Sequence, residues 1–151
     1  MYKRQEYHRR TGNKQALIRD NTFLGSVYLD IGDYKNGLEC LKEAHGLALQ
    51  VGEIMSIVHT LCYLGLAYHK HAQYKKAKNL FKECYKLANK YKMSYMESVA
   101  LLNLGDTYAK LHQIDQAINC IQKVLSMDDL KVKGIKDAAK ATLKEIYANQ
   151  K

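Results

Sequence analysis

Leu24-Gly25-Ser26-Val27-Tyr28, Leu64-Gly65-Leu66-Ala67-Tyr68 and Leu104-Gly105-Asp106-Thr107-Tyr108 are three copies of one pattern, each forty residues after the last. A leucine, a glycine beside it and a tyrosine one helical turn later form a packing unit, since residues three and four apart share a helix face. Working outward, the same offset aligns Gly37, Ala77 and Ala117 as small residues and Leu41, Phe81 and Ile121 as large apolar ones. Ala44, Cys84 and Val124 follow, then Leu47, Leu87 and Met127, while Tyr34, Tyr74 and Ile114 open the second half of each unit. Apolar residues recur at three- and four-residue spacing through both halves, so each unit reads as two amphipathic helices.

The predicted helices are 14–31, 34–51, 54–71, 74–91, 94–111 and 114–127, with Asn13 as an N-cap, a capping box formed by Ser94 and Glu97, and Gly32 at the first hairpin turn. Gly12 stands forty residues before Gly52, so residues 1–11 align with the end of a second helix, as if the chain were a piece cut inside a longer array. Leu143 and Tyr147 keep the leucine-to-tyrosine spacing, but Lys144 replaces the glycine, which makes 130–149 a closing helix with one wet face. The organisation expected is a single array over 1–151: the end of a preceding repeat (1–13), repeats at 14–53, 54–93 and 94–129, and a capping helix at 130–151.

These positions resemble the tetratricopeptide repeat, whose pattern runs Leu-Gly-x-x-Tyr on the first helix and Ala-x-x-x-Phe-x-x-Ala on the second. The likeness covers roughly residues 14 to 130 and departs in its forty-residue period and in lacking both the leading tryptophan and the closing proline. The longer unit is similar to a subclass that includes Pins/LGN-type polarity adaptors and Rap- and PlcR-type peptide-binding regulators of Gram-positive bacteria. The resemblance implies an all-α, right-handed α-solenoid of antiparallel hairpins, with first helices lining a concave surface that holds a protein or peptide as part of a scaffold or regulator.

On that implication the groove positions are Arg19, Thr22, Phe23, Ser26 and Asp30 in the first repeat. They are His59, Cys62, Tyr63, Leu66, His69 and Lys70 in the second, and Val99, Leu102, Asn103, Asp106 and Lys110 in the third. Aromatic and apolar residues with charges of both signs at the edges suit an apolar-anchored peptide with a few polar contacts. Arg19 is the residue suited to gripping a carboxylate and Asn103 to bonding a peptide backbone. Each has a plainer reading: Phe23 and Tyr63 as packing between helices, Asn103 and Asp106 as helix-solvating groups, Cys62 as a small core-edge residue. Some members of the family clamp a C-terminal carboxylate with lysine and asparagine on successive turns. Here those places hold Thr22 and Ser26, Cys62 and Leu66, Leu102 and Asp106, so that clamp is absent.

Composition bounds the rest. The chain has 151 residues, no proline and a formal charge of +9. Cys40, Cys62, Cys84 and Cys120 form no Cys-x-x-Cys pair and read as buried thiols of a cytoplasmic protein, with no metal or cofactor implied. No His-Glu-x-x-His, phosphate loop or nucleophile elbow occurs, and His69 and His71 face different sides of a helix, so the expectation is a non-catalytic module. Two other readings stay open. One is a structural segment that self-associates through an apolar face at residues 1–13. The other is nucleic-acid binding by the stripe from Lys75 to Lys92, set against an ordinary solvated face with sequence-local pairs such as Lys42–Glu43 and Lys82–Glu83.

Overall fold

The computed structural model describes residues 2–10 and 12–149. Its order is α1 (Tyr2–Arg10), α2 (Lys14–Asp30), α3 (Tyr34–Val51), α4 (Ile54–Lys70), α5 (Tyr74–Lys90), α6 (Ser94–Lys110), α7 (Ile114–Ser126), a 3-10 turn (Leu130–Val132) and α8 (Lys133–Ala148). The architecture is the expected all-α solenoid of antiparallel hairpins; from α2 to α7 each helix starts where the sequence places it and, α3 apart, ends one residue earlier, while the closing helix starts at Lys133 after a 3-10 turn rather than at residue 130. Ile31, His71, Tyr91 and Leu111 cap the helices instead of continuing them.

The glycine of each unit is where its two helices meet. A Cβ on Gly25 would lie 2.7 Å from Leu41 Cγ, on Gly65 2.5 Å from Phe81 Cε1, and on Gly105 2.7 Å from Ile121 Cδ1. Each large residue of the second helix thus seats on the bare backbone of the first, and Leu41, Phe81 and Ile121 are fully enclosed.

The turns obey one geometry with differing chemistry. Residues 33, 73 and 113 each send their N–H to the carbonyl of the unit's tyrosine at 2.8–2.9 Å. The residue before each must be left-handed, and Gly32, Ala72 and His112 have φ of 84°, 56° and 57°. Gly12, Gly52 and Lys92 repeat this between units at 65°, 75° and 56°. Glycine takes that conformation freely, whereas a Cβ makes it cost about 1–2 kcal/mol.

Packing along the array is asymmetric. The first helices α2, α4, α6 and α8 touch in sequence, whereas α3, α5 and α7 do not pack against one another to any comparable extent. Close spacing on one side and wide spacing on the other bends the stack, so the first helices line the inner face. At the far end Leu143 is half-buried and Tyr147 stays exposed over a cleft of about 510 Å³ that includes Lys140 and Lys144, the wet face expected there.

Two local expectations fail. Ser94 is the first helical residue, with Met93 at the cap; its hydroxyl bonds Asp129, and Glu97 accepts from Asn89 Nδ2 at 2.9 Å, so no capping box forms. The apolar face expected at residues 1–13 does not occur among the described residues of that stretch, where α1 exposes Lys3, Arg4, Glu6, Tyr7, Arg9 and Arg10. It meets α2 through a polar seam in which buried Gln5 bonds buried Asn21, Arg4 pairs with Asp20 at 3.2 Å and Arg9 with Glu43 at 2.9 Å. Asn21 stands in the column that holds Leu61 and Leu101 in later repeats. Asn13 does cap α2, accepting from the Ala16 amide at 3.0 Å.

Candidate functional site

The inner face is built from columns one repeat apart, because a forty-residue period returns each helix position to the same bearing. Arg19, His59 and Val99 form one column, and Phe23, Tyr63 and Asn103 the next. Thr22, Cys62 and Leu102 stand beside the latter, then Ser26, Leu66 and Asp106, and Asp30, Lys70 and Lys110 at the C-terminal rim. All lie on α2, α4 or α6, but not all are open to a partner. Phe23 is 65% exposed and Tyr63 37%, so neither ring is consumed by helix packing; Cys62 is buried at 4%. Arg19, His59 and Lys110 are exposed, whereas Leu66, Val99, Leu102, Asn103 and Asp106 are half-buried.

Several polar groups in the set are already engaged. Thr22 Oγ1 donates to Ile18 O at 2.7 Å, Ser26 Oγ to Phe23 O at 2.8 Å, and Asn103 Nδ2 to Val99 O at 2.9 Å, each turning back onto its own helix. Others tie neighbouring repeats. Lys70 Nζ reaches Asp30 at 2.7 Å, joining α4 to α2, and His69 Nε2 reaches Asp106 at 2.9 Å, joining α4 to α6. His69 Nδ1 lies 3.0 Å from Thr107 Oγ1, whose own proton goes to Asn103 O at 2.7 Å. Both ring nitrogens are thus tied to α6, one at Asp106 and one at Thr107. The bond from His69 holds the Asp106 carboxyl below its ordinary value, outweighing the opposing effect of burial.

Arg19 and Lys110 enter none of the ion pairs among the described residues, so both are inner-face cations left for an anionic group, and only the Arg19 guanidinium offers a planar fork. Beside Phe23 a cleft of about 290 Å³ opens between α1 and α2, walled by Lys3, Arg4, Gln5, Asp20 and Leu24. Met55 and Tyr95, at 48% and 49% exposure, extend the apolar part of the face one turn toward the helix N-termini. The sequence reading passed over both, although they share a column with Gln15 one turn before Arg19, His59 and Val99. Among the described residues no three His, Cys, Asp or Glu side chains gather as a metal set, and no helix is long and apolar enough to cross a membrane.

Residues 19–90 match one tetratricopeptide-repeat family model and residues 98–129 match a second of the same description. No curated protein matches the chain.

Proposed function

Residues 19–90 and 98–129 are tetratricopeptide repeats, a kind of unit that mediates protein–protein interaction, and from that premise we propose that this chain holds a peptide or protein segment along its inner face. The observation that carries the reading is the line of exposed apolar side chains Phe23, Met55, Tyr63 and Tyr95 on the first helices. Rings and a methionine left bare on a bent surface are anchors awaiting apolar partners, and Met adapts its shape to them. The bound segment carries apolar or aromatic anchors spaced to meet α2, α4 and α6, with an acidic group toward Arg19. Asn103 and Asp106 supply polar contacts at the third repeat. The module is non-catalytic and works within a scaffold or regulator.

The test begins with ligands selected from a random peptide library on the wild-type chain. Affinities are then measured for Arg19→Ala, Tyr63→Ala and Asn103→Ala. An anchor position should cost about tenfold or more. Unchanged affinity in all three variants sinks the groove assignment.

A further inference from the structure

The second helices differ sharply in charge. In α3, Lys35 and Lys42 balance Glu39 and Glu43, and in α7 Lys123 balances Asp115. The middle one, α5, sets Lys75, Lys76, Lys78, Lys82, Lys86 and Lys90 against Glu83 alone. All of these lysines except half-buried Lys78 are exposed. The sequence-local pairing expected for Lys82 and Glu83 does not occur: none of the ion pairs among the described residues draws on α5, and Glu43 pairs with Arg9 rather than Lys42.

Tyrosine rings organise the lysines instead. Lys76 lies 5.2 Å over Tyr68, Lys78 and Lys82 5.8 and 5.9 Å over Tyr108, and Lys90 5.3 Å over Tyr91. A ring face steadies an ammonium without neutralising it, so the full positive charge remains available. Lys78, Lys82, Lys86 and Lys90 follow at four-residue steps, an arrangement that destabilises a helix through like-charge repulsion. The ring contacts offset that repulsion and leave the charge itself unspent.

We propose that the outer ridge of α5 is a second docking surface, taking an acidic, extended polypeptide segment. It is distinct from the inner face and independent of the groove reading. Because α3 and α7 stand clear of α5, its lysines sit on a crest rather than in a channel. A flexible chain can drape over a crest, whereas a rigid duplex meets it tangentially, and single-stranded nucleic acid wants a groove floored with stacking rings. No apolar residue stands among the exposed positions of α5, so the contact is electrostatic throughout. Lysines four apart rise about 6 Å along the helix, and alternate residues of an extended chain are about 6.6 Å apart, so acidic side chains at every second position meet them in step.

The experiment is fluorescence anisotropy with a labelled peptide of alternating Glu and Ser, about eight residues to span the helix, alongside a DNA duplex of about twelve base pairs, the two compared at equal total concentration of anionic groups. The wild-type chain should bind the peptide at low salt and release it as salt rises past the screening range. Lys82→Gln/Lys86→Gln/Lys90→Gln should bind it about tenfold more weakly, while Lys140→Gln/Lys144→Gln on α8 should match wild type. No binding by wild type, equal binding by the ridge variant, or tighter binding of the duplex than of the peptide would each overturn the proposal.

Discussion

Replacing Gly65 by alanine should destabilise the protein, although alanine is the better helix former. In a helix interior the exchange alone contributes about 0.5–1 kcal/mol of stability. At Gly65 the added methyl would stand 2.5, 2.8 and 2.9 Å from three atoms of the Phe81 ring, where ordinary contact begins at 3.4 Å. The ring must therefore withdraw by most of an ångström, yet Phe81 is enclosed with no exposed surface. Overpacking of this kind costs about 1–3 kcal/mol, which leaves a net loss of up to about 2.5 kcal/mol. Gly46 is the built-in control, because it is helical in α3 with nothing within 4 Å of its Cβ position, so the same exchange there should stabilise. Urea unfolding of both variants reads the two signs. Phe81→Leu, which places at the second repeat the leucine found as Leu41 in the first, should recover part of the Gly65→Ala loss, with a coupling above about 0.5 kcal/mol. The reasoning fails if Gly65→Ala stabilises as Gly46→Ala does, or if the two changes add without coupling.

The left-handed turns give a second expectation: Ala72→Gly, Lys92→Gly and His112→Gly should each raise stability by about 0.5–1 kcal/mol in thermal melts, against no gain for glycine at an ordinary exposed helix position. In the polar seam, Asn21→Leu alone should cost about 1–3 kcal/mol by stranding buried Gln5, whereas Gln5→Leu/Asn21→Leu should be close to neutral in denaturant unfolding. Asp106 is held below the ordinary carboxylate value, so the folded state binds fewer protons than the unfolded one. Its stabilisation is complete above about pH 4 and fades as pH falls through the depressed value, and Asp106→Asn should flatten that part of the melting profile. Burial lowers His45 below its ordinary value, so the sign is the same but the window higher. As pH drops below about 6.5 the unfolded chain takes a proton the folded one resists, stability falls until His45 itself titrates, and His45→Gln should remove the step.

The repeat was legible because close packing leaves few choices at the helix crossing. Gly25, Gly65 and Gly105 each answer to one large residue sixteen positions on, and that relation survives in the letters alone. Ser94 and Glu97 show the limit. Their spacing satisfies the capping rule, but the helix begins one residue earlier than the rule needs, and the serine hydroxyl finds Asp129 thirty-five residues away. No local pattern encodes such a partner. The seam at α1 was missed for a related reason: a helix aligned with an apolar column was assumed to share its chemistry, while Arg4, Gln5 and Asn21 exchanged oil for paired polar groups on both sides. Groove positions could be placed by phase, but not how far each side chain was already bonded to its own helix, as Thr22, Ser26 and Asn103 are.

With the first helices in contact along one edge and the second helices apart along the other, the stack behaves as a bent strip. Straightening it must pry apart packed side chains, and curling it further presses together first helices that already touch, so the curve resists change in both directions. A ligand on the inner face therefore meets a surface of nearly fixed arc, and its own length must suit that arc rather than reset it.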